Sequence, residues 1–534
     1  MASDITRIIL LSFLFNFGYS LKPNCQQEVN FAQHIAPIIY NKCTLCHRPG
    51  EIGPMPLTNY QEVKDVGRTL KYVTKTKYMP PYMADPSYST LLNENILTDE
   101  QIGLISRWVD NGMPRGNSKS EPSPPVFPKL SALGKPDLVL EMSEYFTHKG
   151  NNKDNYQFFV LPTGLTKDKK VKAIEFRPGN TKILHHAVII EDVSGVAARM
   201  DSETEEYGFD GEGGFFALAN EGVPQRIYGG YLPGQSTFYF PEGTAQTLSA
   251  NSDMVIQVHY APYAKEEKDK SHVNIFFADE DEVIEREVKE QLILPSPDLI
   301  GKPFIMPADE ITEFHGVWNI EKDISLLSLI PHMHLIGKHW EIFLERPSGE
   351  IVPLLRINDW DFNWQGSYFF TKYIPAFAGD RLHAIASYDN TASNPNNPHN
   401  PPQKMKWGLG TSNEMYYLLY YYVDYNEGDE NIKLGSNLSE IMDSATPSKI
   451  TSVDIVYNDL SNSLFFECRD HVSGEYELSI TDLKGNKLQL NRNITLVAGT
   501  NEIPLMIESV KSNIYMVALT NKDNNFFKKI AIKK

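Results

Sequence analysis

Hydrophobic residues follow a helical period near the start of this chain. Ile102 and Ile105 recur on one face, and Thr98 with Gln101 three residues later forms a capping box in front of them. A capping box placed before an amphipathic run is a signature of a helix N-terminus. The pattern predicts that residues 28–116 form a small all-α domain that closes with this helix.

The helical period nearly disappears over the next three hundred residues. Short β-rich runs replace it, such as 254–258 and 416–422, and clusters of Pro, Gly and Asn separate them, such as 241–243. This spacing is typical of antiparallel β-sandwiches, and the length accommodates two of them. We therefore expect one sandwich over 136–275 and a second over 276–430, both jelly-roll-like.

A Ser- and Pro-rich stretch over 117–135 predicts a semi-rigid linker between the helical and the β regions. At the other end, 445–534 again alternates strand-like runs with polar turns, which predicts a small C-terminal β-sandwich. Together with its closing segment 526–534, this region resembles the C-terminal sorting domains that the type IX secretion system recognises. The alternative is an ordinary accessory sandwich.

Composition and charge narrow the class of protein. The formal net charge is −18, so most of the surface repels a polyanion, and we exclude nucleic acid as a partner. Residues 1–20 combine a basic start at Arg7 with a short apolar run and small residues, which predicts a signal peptide. The alternative is an apolar helix that the mature chain keeps. No later stretch is apolar for long enough to predict a transmembrane segment.

Four cysteines occur, and two of them lie in the sequence Cys43-Thr44-Leu45-Cys46-His47. This C-x-x-C-H pattern is the attachment motif of c-type haem: Cys43 and Cys46 would bind the porphyrin covalently, and His47 would bind the iron. A zinc or redox C-x-x-C is the alternative, but a zinc site needs two further ligands, and only His34 lies nearby. With this motif, the helical segment looks like a cytochrome c domain.

A methionine thioether would complete the iron coordination of an electron-transfer haem. Met79 is the best candidate, because Pro80 and Pro81 after it restrict the backbone and would hold a loop against the haem. Met55 and Met83 are the competing choices.

Five histidines in the β region fall at spacings that suggest metal sites. His332 and His334 are two residues apart, so on a strand both side chains leave the same face. His185 and His186 are adjacent and would point to opposite faces of a regular strand, so a bulge or the use of different ring nitrogens must bring them together. His259 lies on an alternating strand, where a lone histidine is more often structural.

Met415 adds a thioether, and imidazole with thioether is a ligand set that suits copper. The order of these motifs resembles the copper type II, ascorbate-dependent monooxygenases, a family that includes the peptidylglycine α-hydroxylating and dopamine β-monooxygenases. The motifs that carry the resemblance read, in this chain, Leu184-His185-His186-Ala187, Gln257-Val258-His259-Tyr260, His332-Met333-His334-Leu335-Ile336-Gly337-Lys338 and Ser412-Asn413-Glu414-Met415.

The resemblance implies two copper ions on facing β domains. One, held by His185, His186 and His259, would store and relay electrons. The other, held by His332, His334 and Met415, would bind O₂ and hydroxylate a substrate C–H bond. A haem could supply the electrons in place of an ascorbate-like reductant, or alongside it.

Two departures limit what the resemblance implies about the substrate and the fold. Amidating members of the family carry an arginine two residues before the H-x-H, where it grips a peptide carboxylate, and this chain has Ile330 there. Glycine-extended peptides are therefore poor candidates, and the substrate is an unidentified small molecule or peptide. Animal members also cross-link these domains with disulfides, whereas no cysteine lies between Cys46 and Cys468.

The sequence thus predicts a multidomain, exported protein, secreted or at the cell surface, which passes through the periplasm for haem attachment. Its expected cofactors are two copper ions and one covalent haem c. Its expected partners are O₂, the substrate, an external reductant and the type IX machinery. A non-enzymatic electron-transfer or copper-binding protein is the main alternative. An adhesion module is a third, but it explains neither the haem motif nor the paired ligands.

Overall fold

The computed structural model describes residues 28–434, except 93, 126–130, 132, 212–217, 224–225 and 236, together with seven strands between 453 and 532. The predicted signal peptide at residues 1–20 lies outside the described residues. The chain is rich in β-strands arranged in many small sheets, with few helices. It divides into two compact units, Met1–Asn437 and Leu438–Lys534.

The first described segment is helical. A π-helical turn, Phe31–Ile35, leads directly into the first α-helix, and a 3₁₀ turn, Ser118–Ser120, follows the last one. The helices are α1 (Ala36–Lys42), α2 (Tyr60–Asp65), α3 (Gly67–Lys75) and α4 (Asp99–Asp110).

Helix α4 confirms the capping prediction. The Thr98 side chain accepts the N–H of Gln101, and the Gln101 side chain accepts the N–H of Thr98. Ile105 and Trp108 on its inner face are fully buried, and they pack with Phe31 in the core of the helical segment.

The next region contains two sheets, one in the order β1-β12-β4-β9-β13 with β8 beside β4, the other in the order β6-β3-β10-β5-β7. A separate antiparallel pair, β2 and β11, and a helix α5 (Val196–Ser202) accompany them. The strands are β1 (Leu138–Glu141), β2 (Phe146–His148), β3 (Asn155–Pro162), β4 (Lys169–Arg177), β5 (Leu184–Asp192), β6 (Phe209–Asp210), β7 (Arg226–Tyr231), β8 (Thr237–Tyr239), β9 (Thr244–Leu248), β10 (Asp253–Tyr260), β11 (Glu267–Asp269), β12 (His272–Phe277) and β13 (Arg286–Glu287).

A second pair of sheets follows, in the orders β14-β24-β18-β21 and β15-β17-β22-β19-β20, with a short extra pair, β16 and β23. A helical turn, Pro295–Asp298, and the 3₁₀ turns Phe362–Trp364 and Asp429–Asn431 lie in the connections. The strands are β14 (Lys289–Ile293), β15 (Leu299–Ile300), β16 (Ile305–Met306), β17 (Ile311–Asn319), β18 (Ile324–His332), β19 (Gly337–Glu345), β20 (Ile351–Ile357), β21 (Tyr368–Ala376), β22 (Arg381–Asp389), β23 (Met405–Lys406) and β24 (Tyr417–Asp424).

Each pair of sheets encloses apolar side chains, and the two cores are joined. Trp340 and Leu382 are fully buried inside the second pair, as are Ile256 and Ile275 inside the first. Tyr421 of β24 belongs to the same cluster as the core of the first pair. The second pair therefore packs directly on the first, and the region between them is where the candidate ligands lie.

The loop between α3 and α4 lies on the second pair of sheets. Ala84 forms a β-bridge with Ile357 and is buried in the core of that pair, and Asp85 forms an ion pair with Arg356 at 2.7 Å. The helices therefore do not separate from the sheets as a compact unit of their own. A distinct all-α cytochrome domain stays a prediction.

The C-terminal unit contains two antiparallel sheets, in the orders β25-β26-β29 and β28-β27-β30-β31. The predicted turn at residues 484–486 lies outside the described residues. The strands are β25 (Val453–Asn458), β26 (Ser463–Cys468), β27 (Gly474–Asp482), β28 (Lys487–Leu496), β29 (Gly499–Pro504), β30 (Asn513–Thr520) and β31 (Asn525–Ile532).

Candidate metal centre

Three of the candidate ligands meet at the edge of the first pair of sheets. His186 on β5 lies opposite His259 on β10, and the register then shifts so that Tyr260 pairs with Leu184. This irregularity leaves His185 as an extra residue on its strand, as in a β-bulge. One ligand atom from each of His185, His186 and His259 lies within 4.8 Å of the others. The backbone irregularity thus brings two adjacent imidazoles to one place.

The second group lies where β18 ends. His332 is the last residue of the strand and His334 follows in the connection, while Met333 between them is fully buried in the core. The ring centroids of His332 and His334 are 5.1 Å apart. Those of His332 and His186 are 6.2 Å apart. All five imidazoles therefore belong to one contiguous cluster.

Glu414 attaches the segment that carries Met415 to this cluster. Its fully buried carboxylate accepts the backbone N–H groups of His334 at 2.8 Å, Ile336 at 2.9 Å and Met415 at 3.1 Å. Burial raises the pKa of Glu414 to about 8, and these N–H groups act in the opposite direction. Met415 is buried as well, and its N–H and that of His334 both donate to Glu414 Oε2. The sequence did not predict this positioning role of Glu414.

Oxygen atoms orient three of the imidazoles. The Nε2 atom of His259 is 2.7 Å from Asp154 Oδ1, His332 Nδ1 is 2.7 Å from Gln365 Oε1, and His334 Nδ1 is 3.2 Å from the carbonyl oxygen of Asn413. An oxygen acceptor on one ring nitrogen fixes the tautomer and leaves the other nitrogen free for a metal. The sequence did not predict that Asp154, Gln365 and Asn413 orient these rings.

Two nitrogen atoms of the first group lack a polar partner. His185 Nε2 and His259 Nδ1 are buried, and among the described residues neither has a hydrogen-bond partner. A buried polar atom without a partner is unfavourable by about 1–3 kcal/mol. A metal ion is one way to satisfy both atoms.

Four of the imidazoles are held in their neutral form. Burial lowers the pKa of His185 and of His332 to about 3 and that of His334 to about 4, and it lowers the pKa of His186 well below 6.5. The neighbouring rings act in the same direction for each of the four. A neutral imidazole keeps the lone pair that binds a metal.

Aromatic rings cover the cluster. Phe362 stacks on His185 at 4.9 Å between centroids and lies 5.7 Å from His334, and Tyr417 stacks on His332 at 4.6 Å. Trp360, two residues before Phe362, is instead buried in the core of the second pair of sheets.

The C-x-x-C-H motif lies where α1 ends. Cys43 caps the helix, and the N–H of His47 donates to the carbonyl oxygen of Cys43 at 2.9 Å. The Nδ1 atom of His47 is 3.0 Å from the carbonyl oxygen of Met55, which leaves Nε2 for a ligand. Gly53 passes so close that a Cβ atom there would lie 2.8 Å from His47 Nδ1. Burial raises the pKa of the Cys43 thiol to about 12 and that of Cys46 to about 11.

The three candidate axial methionines differ in their surroundings. Met83 packs against the core of the second pair of sheets, and its sulfur accepts the N–H of Asp361 at 3.1 Å. Met55 packs against the core of the helical segment. Met79 is half-buried, and its N–H donates to the carbonyl oxygen of Val73. His34, the only nearby histidine for a zinc site, accepts the N–H of Asn30 at 3.3 Å.

Another pair of histidines lies away from this centre. His315 Nε2 on β17 is 2.8 Å from His383 Nδ1 on β22, and His383 Nε2 is 2.9 Å from Glu345 Oε2 on β19. Neither histidine could be assigned a role from the sequence, because cross-strand neighbours are known only once the strands are paired.

Comparison with known proteins identifies one part of the chain. Residues 460–533 match the family described as secretion system C-terminal sorting domain. The C-terminal unit carries a sorting domain. This confirms the sorting prediction over an accessory sandwich, and it means that the protein is exported, to the cell surface or beyond it. No helix among the described residues is both long and apolar enough to cross a membrane.

Other comparisons are uninformative about this chain. No curated protein matches its sequence. Similar solved structures include the adhesin domain of Epf from Streptococcus pyogenes (10% identity, 49% of this chain and 79% of that chain, TM-score 0.12) and the infectious bursal disease virus VP2 subviral particle (7% identity, 57% and 76%, TM-score 0.16). TM-scores this low do not indicate a shared fold.

Proposed function

We propose that this protein is an exported, copper-dependent monooxygenase that hydroxylates a substrate C–H bond with O₂. In this proposal each pair of sheets is a jelly-roll-like β-sandwich that supplies ligands to one of two copper ions. The helical segment is a cytochrome c-like domain whose c-type haem supplies electrons, and the sorting domain addresses the chain to the type IX machinery. The observation that carries the proposal is the convergence of five imidazoles in one cluster.

The first ligand set is His185, His186 and His259. Its fit to a metal rests on the two buried nitrogen atoms without polar partners, His185 Nε2 and His259 Nδ1. Asp154 supports the fit, because a carboxylate on the far nitrogen of a metal-binding histidine orients the ring and makes it more basic.

The second ligand set is His332, His334 and Met415. Gln365 and the carbonyl oxygen of Asn413 hold the two rings through Nδ1, so each ring would offer Nε2 to the metal. Glu414 fixes the main chain of Met415 beside His334. The Met415 thioether favours Cu(I), the state that reacts with O₂.

When bound, copper supplies one-electron redox chemistry and activates O₂ for attack on a C–H bond. The chain's own residues prepare the place for this reaction. The rings of Phe362 and Tyr417 exclude water from the imidazoles that they cover. A cavity of about 70 Å³ borders His186 and His332, so a substrate group can lie beside both ligand sets.

The proposed haem site uses Cys43 and Cys46 for covalent attachment and His47 Nε2 for the iron, with Met79 as the axial thioether. When bound, the haem supplies electrons one at a time. The attachment loop adjoins the first pair of sheets: Glu51 lies 3.3 Å from Arg177, and a Cβ atom at Gly234 would lie 3.1 Å from Cys46 Sγ. This proximity supports electron supply from the haem, in place of an external ascorbate-like reductant or alongside it.

The rival proposal is an electron-transfer or copper-binding protein that does not activate O₂. The cavity beside His186 and His332 favours the enzyme, because a pure electron carrier needs no room for a substrate next to its metal ligands. Oxygen uptake that depends on a C–H substrate would distinguish the two.

Copper content tests the proposal. We expect two copper ions in the purified full-length chain and one after either His259→Ala or His332→Ala, measured by mass spectrometry of the metal. His315→Ala is the matched control, since it removes a histidine from the outer pair, and it should keep both ions. A wild-type chain without copper, or variants that keep the full complement, would rule the proposal out.

A further inference from the structure

The cavity between the two pairs of sheets lies directly beside the ligand cluster. His186 and His332 form part of its wall, and Ile330 on β18 and Phe238 on β8 form apolar parts of it. It is therefore bounded by both β regions and by one imidazole from each proposed ligand set. A group that occupies it lies against the metal ligands.

No Asp, Glu, Lys or Arg side chain is among the described residues that line this cavity. A charged group that entered would lose its hydration and would meet no charged side chain of the described lining, which is unfavourable. The wall thus selects against charged groups.

The amide side chains of the lining are already engaged with protein atoms. Gln235 donates to the carbonyl oxygen of Ser367 at 3.4 Å and accepts the N–H of Ser367 at 2.7 Å. Gln365 lies against His332 through its oxygen and donates through its nitrogen to the carbonyl oxygen of Phe362 at 3.1 Å. These contacts fix the orientation of both amide groups.

The size of the cavity limits what it can hold. A single water molecule needs roughly 10–15 Å³, and an engineered apolar cavity of roughly 150 Å³ binds benzene. At about 70 Å³, this cavity is too large for one water and about half the size that accommodates an aromatic ring.

We infer that the cavity receives a short, uncharged aliphatic group of about three or four carbon atoms, so that the substrate class is an alkyl-bearing neutral molecule. The inference deepens the proposed function, on which it rests for the identity of the reaction. Ile330 is the specificity-determining residue, because its branched hydrocarbon lines the cavity two residues before His332 on the same strand.

Binding of two matched probes, 1-butanol and n-butylammonium, tests the inference on the full-length protein with its metals in the reduced state, under nitrogen. Saturation-transfer NMR measures each affinity without turnover. We expect 1-butanol to bind, and n-butylammonium to bind about tenfold more weakly or worse, because no carboxylate of the described lining pairs with its charge and bound copper would repel it.

The variant Ile330→Phe fills the cavity and should abolish 1-butanol binding. Ile385→Phe on the outer side of β22 adds the same ring elsewhere and should leave binding unchanged. Equal binding of both probes to the wild type, absence of 1-butanol binding, or normal binding in Ile330→Phe would each overturn the inference. Copper content of the same samples separates the two proposals: a full complement without 1-butanol binding rejects only this inference, whereas missing copper rejects the proposed function.

Discussion

At the scale of single residues, the centre depends on groups that bind no metal. Asp154, Gln365 and Glu414 each hold a ligand or the main chain beside it. Such supporting residues commonly change metal affinity by about 10–100-fold when they are replaced. Glu414 is the most demanding of the three, because a single buried carboxylate accepts three backbone N–H groups.

The substitution Glu414→Gln tests this positioning role. Whichever way the amide is placed, its NH₂ group faces at least one backbone N–H, so the hold on His334, Ile336 or Met415 is lost. We expect the affinity of the His332, His334 and Met415 set for Cu(I) to fall by about 10–100-fold, while the other set keeps its affinity. Titration against a chromophoric Cu(I) chelator measures both.

Glu345→Gln is the matched control, since that carboxylate lies with the outer histidine pair, and it should leave both affinities unchanged. If Glu414→Gln binds two equivalents of Cu(I) with wild-type affinity, Glu414 has no part in positioning the ligands.

The candidate histidines could be identified from the sequence, and the residues that orient them could not. The adjacency of His185 and His186 required the irregularity that occurs at β5. The strand alternation expected to align His332 and His334 does not apply, because β18 ends at His332 and His334 lies in the connection after it. Gln365, in contrast, reaches His332 from a connection 33 residues further along the chain. Local periodicity carries no information about such contacts.

At the scale of elements, patterns that depend on near neighbours were predictive. The capping box of α4 occurs where the sequence predicted it, and β10 and β24 lie where short β-rich runs predicted strands. The sequence did not predict that the loop between α3 and α4 packs on the second pair of sheets. Its Asp85–Arg356 ion pair joins residues 271 positions apart, and neither residue stands out in its own segment.

Strand β14 carries a carboxyl group whose titration should set a pH dependence of stability. Burial raises the pKa of Glu290 to about 7, although the N–H of Ile227 and the charge of Arg226 act against it. In the unfolded chain the group titrates near 4.5. Between these values the folded state keeps a proton that the unfolded state has released, so stability is lost as the pH rises from about 4.5 to about 7.

The substitution Glu290→Gln should remove this contribution. One proton accounts for at most about 1.4 kcal/mol per pH unit. Between about pH 4.5 and 7, the free energy of unfolding of the variant should therefore rise relative to that of the wild type by on the order of 1 kcal/mol per pH unit. Urea unfolding at pH 5, 6 and 7 measures the difference. For the exposed control Glu350→Gln, the difference in free energy of unfolding from the wild type should not change with pH. If the difference for Glu290→Gln did not change with pH either, Glu290 would already be ionised in the folded state.

At the scale of the whole molecule, the chain joins the histidine cluster to a sorting domain. The proposed ligands from both pairs of sheets meet within the unit Met1–Asn437, and the sorting domain lies in the unit Leu438–Lys534. The apolar cores of the first unit are made from its own described residues. Folding of the centre and routing of the chain should therefore be separable.

Removal of residues 438–534 tests this separation. The truncated chain keeps the helices, both pairs of sheets and every proposed metal ligand, so it should retain the copper and haem content of the full-length protein. It lacks the segment that matches the sorting family, so it should accumulate in the periplasm while the full-length chain reaches the surface or the medium. Cell fractionation with metal and haem analysis measures both properties.

Residues 438–534 fused to an unrelated exported reporter provide the control, because the sorting domain should redirect the reporter to the surface or the medium. Arrival of the truncated chain outside the cell would mean that routing information also lies in the first unit, and loss of its cofactors would mean that the centre depends on the second.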